Sequence, residues 1–421
     1  MKLRLLSLMM VILLVTNTGF GAGFALYEHG GRAIGMAGAF AAIADDASAI
    51  YYNPAGLSFI EHNTVMAGLH LIAPKTKFTP CQPFPGGESA VSETQVFTPI
   101  HVYGNYHVTP KLSLGAGIFN NFGLGMRWND DGSFVGRFVS YDATIQYFNF
   151  ALAASYQLLP SLSLAVGGDM LYGKVILKRN IALFEHSPNS EAGILELEGA
   201  CDPSFSFNLG LLYKRERWSL GLAYRHEIVT TFNDAEADFT VFNTPLQAVA
   251  ATKMVDQNVD SEIALPATAS IGAAFRLTPK LLLGFTANYI AWSSFEKLEM
   301  KFDDSSINSE VKEDYDDTYM LRLGLEYQVN QAFSLRTGYI FDHSPQPKES
   351  MSSLLGDADR HDLCIGFGYT FSNFTIDMNY MAIMFNERDT LKDGKPVQYE
   401  LLDGAYESYA HVLGLSLGYR F

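Results

Sequence analysis

The last eleven residues place the tightest constraint on the fold. His411, Leu413, Leu415, Leu417, Tyr419 and Phe421 alternate with Val412, Gly414, Ser416, Gly418 and Arg420. Side chains alternate across a strand, so one face is greasy and the other small or polar. The pattern recurs at Leu363, Ile365, Phe367 and Tyr369, opposite Asp362, Cys364, Gly366 and Gly368. It recurs again in 319–328 and in 281–289.

This alternation predicts fourteen strands, at 63–73, 93–108, 111–122, 142–158, 161–176, 203–214, 217–231, 262–276, 280–293, 315–328, 332–343, 361–371, 373–386 and 408–421. Many reach the roughly 9–11 residues a tilted strand needs to cross a bilayer. Short turns, such as 159–161, 214–217 and 372–373, alternate with long segments at 74–92, 123–141, 177–202, 232–261, 294–314, 344–360 and 387–407. That rhythm fits an up-and-down barrel with tight periplasmic turns and long outer loops, both termini periplasmic. A sandwich would have to cover its apolar faces with a second sheet, whereas lipid covers them in a barrel. Tyr156, Tyr327, Tyr339, Tyr369, Tyr419 and Phe421 supply an interfacial girdle.

The N-terminus reads as an export signal, residues 1–21. Lys2 and Arg4 form its positive end, Leu5 to Val15 its apolar core, and Gly19 and Gly21 precede a cut before Ala22. Cleavage leaves 400 of 421 residues, and removing Lys2 and Arg4 takes the formal charge from -16 to -18. So acidic a chain does not suit nucleic acid, whose phosphates favour basic proteins. Part of the acidity sits in one loop region, at Asp303, Asp304, Glu310, Glu313, Asp314, Asp316 and Asp317. Cys81, Cys201 and Cys364 lack the clustering of a metal or redox motif. A Cys81–Cys201 disulfide is compatible with an oxidising compartment. No nucleotide loop ending in Gly-Lys-Ser or Gly-Lys-Thr is present, and no cofactor or metal is expected.

Residues 22–56 interrupt the rhythm before it starts. Gly23, Gly30, Gly31, Gly35 and Gly38 permit close backbone approach, and Ala37, Ala39, Ala41 and Ala42 occupy little volume. Such a segment suits the inside of a barrel as a hatch, with 57–421 as the wall. Asn53-Pro54 marks a firm turn out of it. Asn120-Asn121-Phe122-Gly123 breaks the alternation of the third strand and weakens its ladder.

Ala22-Gly23-Phe24, Gly30-Gly31-Arg32 and AIADDASAIYYNPAG from Ala42 to Gly56 closely resemble the outer-membrane long-chain fatty-acid transporter family, which includes aromatic-hydrocarbon uptake proteins. The segment Leu265 to Leu298 adds to the likeness, which spans essentially the whole mature chain. The resemblance implies a fourteen-stranded antiparallel transmembrane β-barrel, all-β, with an N-terminal hatch inside. It further implies passive uptake of hydrophobic small molecules by a monomer embedded in outer-membrane lipid and lipopolysaccharide, with lateral exit at an inward kink of the third strand. That kink would fall at Phe119, Asn120, Asn121, Phe122 and Gly123, beside Asn53, Pro54 and Ala55. Phe24 takes the position of a ligand-displaced aromatic.

Asp45 and Asp46 read as hatch anchors pairing with wall arginines, the candidates being Arg225, Arg322 and Arg336. A fatty acid would use a basic head-group partner, drawn from Arg127, Arg225 and Arg322; a neutral aromatic or aliphatic hydrocarbon needs none. A lipase reading from Ser58, His62 and Asp45 shows no nucleophile elbow, and an adhesin would need only the long loops.

Overall fold

The computed structural model describes residues 23–81, 89–129, 134–182, 191–243, 247–354, 356–392, 395–396 and 403–421. The expected signal peptide and its cut before Ala22 lie outside the described residues. The wall is a closed antiparallel barrel of fourteen strands. They are β1 (Thr64–Pro80), β2 (Ile100–Thr109), β3 (Leu112–Phe119 and Gly123–Arg127), β4 (Asp142–Leu159) and β5 (Leu162–Ala182). Next come β6 (Glu191–Ala200 and Ser204–Lys214), β7 (Trp218–Arg225 and Ile228–Val241), β8 (Gln257–Leu265 and Thr268–Thr278) and β9 (Leu281–Ile290 and Lys297–Phe302). The series ends with β10 (Ser309–Lys312 and Thr318–Gln328), β11 (Phe333–Asp342), β12 (Arg360–Phe371), β13 (Phe374–Phe385 and Arg388–Asp389) and β14 (Gly404–Arg420). Pairing of β1 with β14, Thr64 opposite Arg420 through Pro80 opposite Gly404, closes the cylinder.

The greasy faces point outward: Leu152, Val166, Leu222, Ile271, Leu363, Ile365 and Leu413 are all exposed. With no water in a bilayer core, every backbone polar group of the wall must bond within the sheet, which closure achieves.

Several strands run further than membrane-length alternation predicts. The expected loops 177–202 and 232–261 contain the ends of β5, β6, β7 and β8. Beyond the bilayer the polarity inverts. Leu195, Leu197, Ala235 and Ala237 are buried, while Glu198, Glu236 and Asp238 face water. A pattern tuned to greasy-outward strands misses this. Conversely, the strand expected at 93–108 begins only at Ile100. Pro99 lacks an N–H for the ladder, and its carbonyl accepts from His70 N at 3.0 Å.

Residues 23–60 lie against the inner face of the wall, with helices α1 (Gly31–Gly35) and α2 (Ala49–Tyr52). Gly30, at φ 73°, turns the chain into α1, a conformation costly for residues with a Cβ. From there the backbone follows the wall strand by strand where inward side chains are absent. Met36 carbonyl meets Gly324 on β10, Ala37 meets Gly338 on β11, Ala39 carbonyl meets Gly284 on β9, and Ala41 carbonyl meets Gly221 on β7.

Asp45 and Asp46 do not pair with Arg225, Arg322 or Arg336. Arg32 of the same segment takes both, at 2.5 and 3.6 Å, and also binds Glu326 on β10 at 2.9 Å. Glu326 in turn holds Arg336 at 2.7 Å, so the anchor is a network with Arg32 at its centre. Cys81, Cys201 and Cys364 are free; Cys81 is exposed and Cys201 buried.

Candidate functional site

The third strand loses its regular partner at Asn120. Pairing of β2 with β3 stops at His101 opposite Phe119, and the second half of β3 pairs with β4 alone among the described strands. Asn120 carries the bonding across the break. Its Oδ1 accepts from Ile100 N at 2.9 Å, and its Nδ2 donates to Tyr147 O at 2.6 Å.

The N-terminal segment takes the vacated edge. Leu26 N donates to Asn121 O at 2.8 Å and Gly123 N donates to Phe24 O at 3.0 Å, making a bridge of Ala25 to Phe122. Backbone groups left open by the break are thereby satisfied by residues 24–26.

Phe24 is buried in a cage of rings. Trp292 lies 4.8 Å away, Phe295 5.6 Å and Phe122 6.2 Å, centroid to centroid. Tyr315 backs the cage from behind Trp292 and Phe295. Trp292 and Phe295 come from residues 291–296, where β9 is interrupted. Gly23 N donates to Asp357 Oδ2 at 2.9 Å, and the same oxygen accepts from Ser344 Oγ at 2.7 Å. Arg388 ties this loop down through the Asp357 and Gln346 carbonyls, at 3.1 and 2.5 Å.

Beside the break lies a cavity of 320 Å³. Phe24, Ile72, Phe97, Phe122, Ile383 and Phe385 give it apolar walls, while Glu28, Asp357 and Arg360 form a polar end. Arg360 binds Asp342 through two nitrogens at 2.9 and 3.0 Å, and Asp362 stands at 3.8 Å. Burial pushes the Asp357 carboxyl above the usual range. Burial also pushes Asp359 up to about 8, with Arg388 partly offsetting it.

The predicted residues divide into two groups. Phe24, Asn120, Phe122 and Gly123 line this cavity. Phe119 sits just before the break, packed against Tyr51 and Tyr103. Asn53, Pro54 and Ala55 face elsewhere. Asn53 Nδ2 donates to Ala41 O at 2.8 Å and to Leu211 O on β6 at 3.0 Å, and Ala55 O accepts from Ser155 Oγ on β4. Only Pro54 of the three shares a space with Asn121 and Phe122, a smaller inner cavity.

None of the three head-group candidates reaches the larger cavity, but Arg225 and Arg322 line the smaller inner one. Arg127 is bound to Asp142 at 3.0 Å, Arg225 to Asp169, and Arg322 lies over the Tyr27 ring at 5.0 Å. Arg360 stands there instead. Its sequence signal was the inward phase of β12, one step before the alternation that begins at Asp362. Ser58, His62 and Asp45 do not assemble: Ser58 Oγ is bonded to Ser163 Oγ at 2.7 Å, and Asp45 is held by Arg32.

The arrangement is an apolar cavity with a charged end, set against a wall whose β3 edge is completed by the N-terminal segment. Known proteins agree with this architecture. The long-chain fatty acid transport protein of Salmonella typhi is 26% identical, aligned over 99% of this chain and 98% of its own. The 47 kDa outer membrane protein of Pasteurella multocida is also 26% identical, over 97% and 96%. The crystal structure of a Pseudomonas aeruginosa FadL homologue superposes with TM-score 0.83 at 20% identity, covering 95% of this chain and 100% of that one. The Ralstonia pickettii toluene transporter TbuX superposes with TM-score 0.68 at 16% identity, covering 93% and 98%. The family model for outer membrane protein transport proteins (OMPP1/FadL/TodX) matches residues 12–421, and the chain belongs to that family of outer-membrane transport barrels, which are not enzymes.

Proposed function

We propose that this protein carries long-chain fatty acids passively across the outer membrane, with residues 22–56 as a hatch and the break in β3 as the lateral exit. The observation that carries the reading is the apolar cavity beside that break, with Phe24 as one of its walls. Each methylene buried there contributes about 0.8 kcal/mol. Displacement of Phe24 by the acyl chain frees residues 24–26 from Asn121 and Gly123, and the guest leaves sideways without returning to water. Arg360 is the head-group partner in this reading, replacing Arg127, Arg225 and Arg322. The chain works as a monomer, surrounded by outer-membrane lipid and lipopolysaccharide, with both termini periplasmic.

A neutral aromatic or aliphatic hydrocarbon is the second reading. It is favoured by the pairing of Arg360 with Asp342, which already occupies the guanidinium. Equilibrium binding of a radiolabelled long-chain fatty acid to detergent-solubilised protein, with toluene as competitor, separates them. Saturable binding that toluene does not displace, weakened at least tenfold in Arg360→Gln, supports the acid. Binding of toluene with no binding of the acid moves the assignment to neutral hydrocarbons.

A further inference from the structure

The outward face of β6 to β10 is not uniformly filled. Tyr224 lies opposite Ala269, and Ala269 opposite Tyr289; Leu222 lies opposite Ile271, and Ile271 opposite Ala287. Two short side chains, Ala269 and Ala287, therefore sit among Leu222, Tyr224, Ile271, Tyr289 and Tyr319. They leave a groove of 540 Å³ on the lipid-facing surface. Other outward positions carry bulky residues such as Leu164 and Phe205, although Gly104, Ala116 and Gly168 around Leu152 are also short. An unfilled groove forfeits dispersion contacts along its lining, and a hydrocarbon chain restores them.

The end of the groove toward the long loops is polar. Tyr224 OH bonds His226 Nδ1 at 2.8 Å. With Nδ1 accepting, the ring proton sits on Nε2 as a remaining donor. Tyr289 OH donates to Asp317, and the Tyr319 ring packs on His343 at 4.9 Å. The same pairing recurs on this end of the barrel at Tyr339–His361, 2.5 Å, and Tyr380–His411, 2.8 Å. The short-turn end instead stacks ring on ring, at Phe371–Phe374 and Tyr419–Phe421. In barrels of this kind the long loops face outward, so the groove opens into the outer leaflet.

We propose that this face is a lipid-binding site for one acyl chain of an outer-leaflet glycolipid. The chain lies over Ala269 and Ala287, and the head group meets the Tyr224–His226 pair. Asp317 stands at the polar end, accepting from the Tyr289 hydroxyl, so the head-group contact is to sugar hydroxyl or amide groups rather than to phosphate. The site lies on the outside of the wall and is separate from the cavity beside the β3 break, with which it shares no lining residue.

Native mass spectrometry of the full-length protein, extracted from outer membranes in mild detergent, tests the site. Wild type is expected to retain one adduct of glycolipid mass. Ala269→Leu/Ala287→Leu fills the groove and is expected to cut adduct occupancy at least tenfold, while Leu363→Ala on a distant lipid-facing strand leaves it unchanged. Retention of the adduct by the filled variant overturns the proposal, as does a wild-type adduct that is a phospholipid or free fatty acid, or no adduct. Should the double variant fail to assemble, Tyr224→Phe keeps the ring and loses the hydroxyl. It is expected to lower occupancy severalfold, and unchanged occupancy there also overturns the site.

Discussion

The rings of Phe24 and Trp292 meet edge to face, their centroids 4.8 Å apart. Trp292 therefore reports where the N-terminal segment is. Removing a buried phenyl ring costs about 3–5 kcal/mol in packed interiors, and here the loss falls on the docking of residues 23–26. In a background with Trp128 and Trp218 replaced by Phe, Phe24→Ala is expected to red-shift Trp292 emission and raise its quenching by acrylamide severalfold. A saturating fatty acid should produce the same shift in the Phe24 protein. Emission unchanged by both treatments would mean that the ring neither shields Trp292 nor moves.

Asn120 bonds to Ile100 on one side of the break and to Tyr147 on the other. Asn120→Ala leaves both backbone groups without a partner, at about 1–3 kcal/mol for each buried group. Hydrogen exchange at the Ile100 amide should accelerate by about one to two orders of magnitude, while amides of β11 and β12 keep their protection. Equal acceleration throughout the barrel would point to general destabilisation instead of a local clasp.

The wall was legible because one physical rule, greasy side outward, holds along every membrane-crossing stretch. Leu413 and Leu415 obey it as Leu321 and Leu323 do. The same rule hid the strand extensions, since Leu195 and Leu197 turn inward once lipid is replaced by water. The break at Asn120 was visible as an interruption of the alternation. The ring cage was not, because Phe24 and Trp292 are 268 positions apart in sequence and only closure of the barrel brings them together. Arg360 was not legible as a site residue for a similar reason. Its inward phase was readable, but the cavity it faces is built by β1, β3, β4, β13, β14 and the N-terminal segment.

Burial raises Asp359 to about 8, far above the ordinary aspartate value of about 3.9. Between those values the folded protein binds more protons than the unfolded chain, so this carboxyl's contribution to stability declines as pH rises and the loss completes through about 8. Its ionisation adds negative charge beside Asp357 and Asp342, which Arg388 and Arg360 offset only in part. Fatty-acid affinity should therefore fall between pH 7 and pH 9, while toluene affinity stays level. Asp359→Asn is expected to flatten the fatty-acid profile; an equally steep profile in that variant would assign the pH effect to another group.

Gly284 faces inward on β9, where a Cβ would come within 2.5 Å of the Ala39 carbonyl and 2.9 Å of Ile43 Cδ1. The backbone at Ala39 has no room to retreat, since its neighbours are fitted in the same way to Gly324, Gly338 and Gly221. Gly284→Val on its own suits a strand, because β-branched residues pack well on a pleated surface. The barrel should therefore assemble, with a β-sheet circular-dichroism spectrum equal to that of wild type, while residues 36–43 lift from the wall. Planar-bilayer recordings are expected to show ion conductance severalfold above wild type, with fatty-acid binding reduced in parallel. A conductance equal to wild type in a folded barrel would mean that the segment adapts within the lumen, and that the close fit to the glycines does not hold the barrel shut.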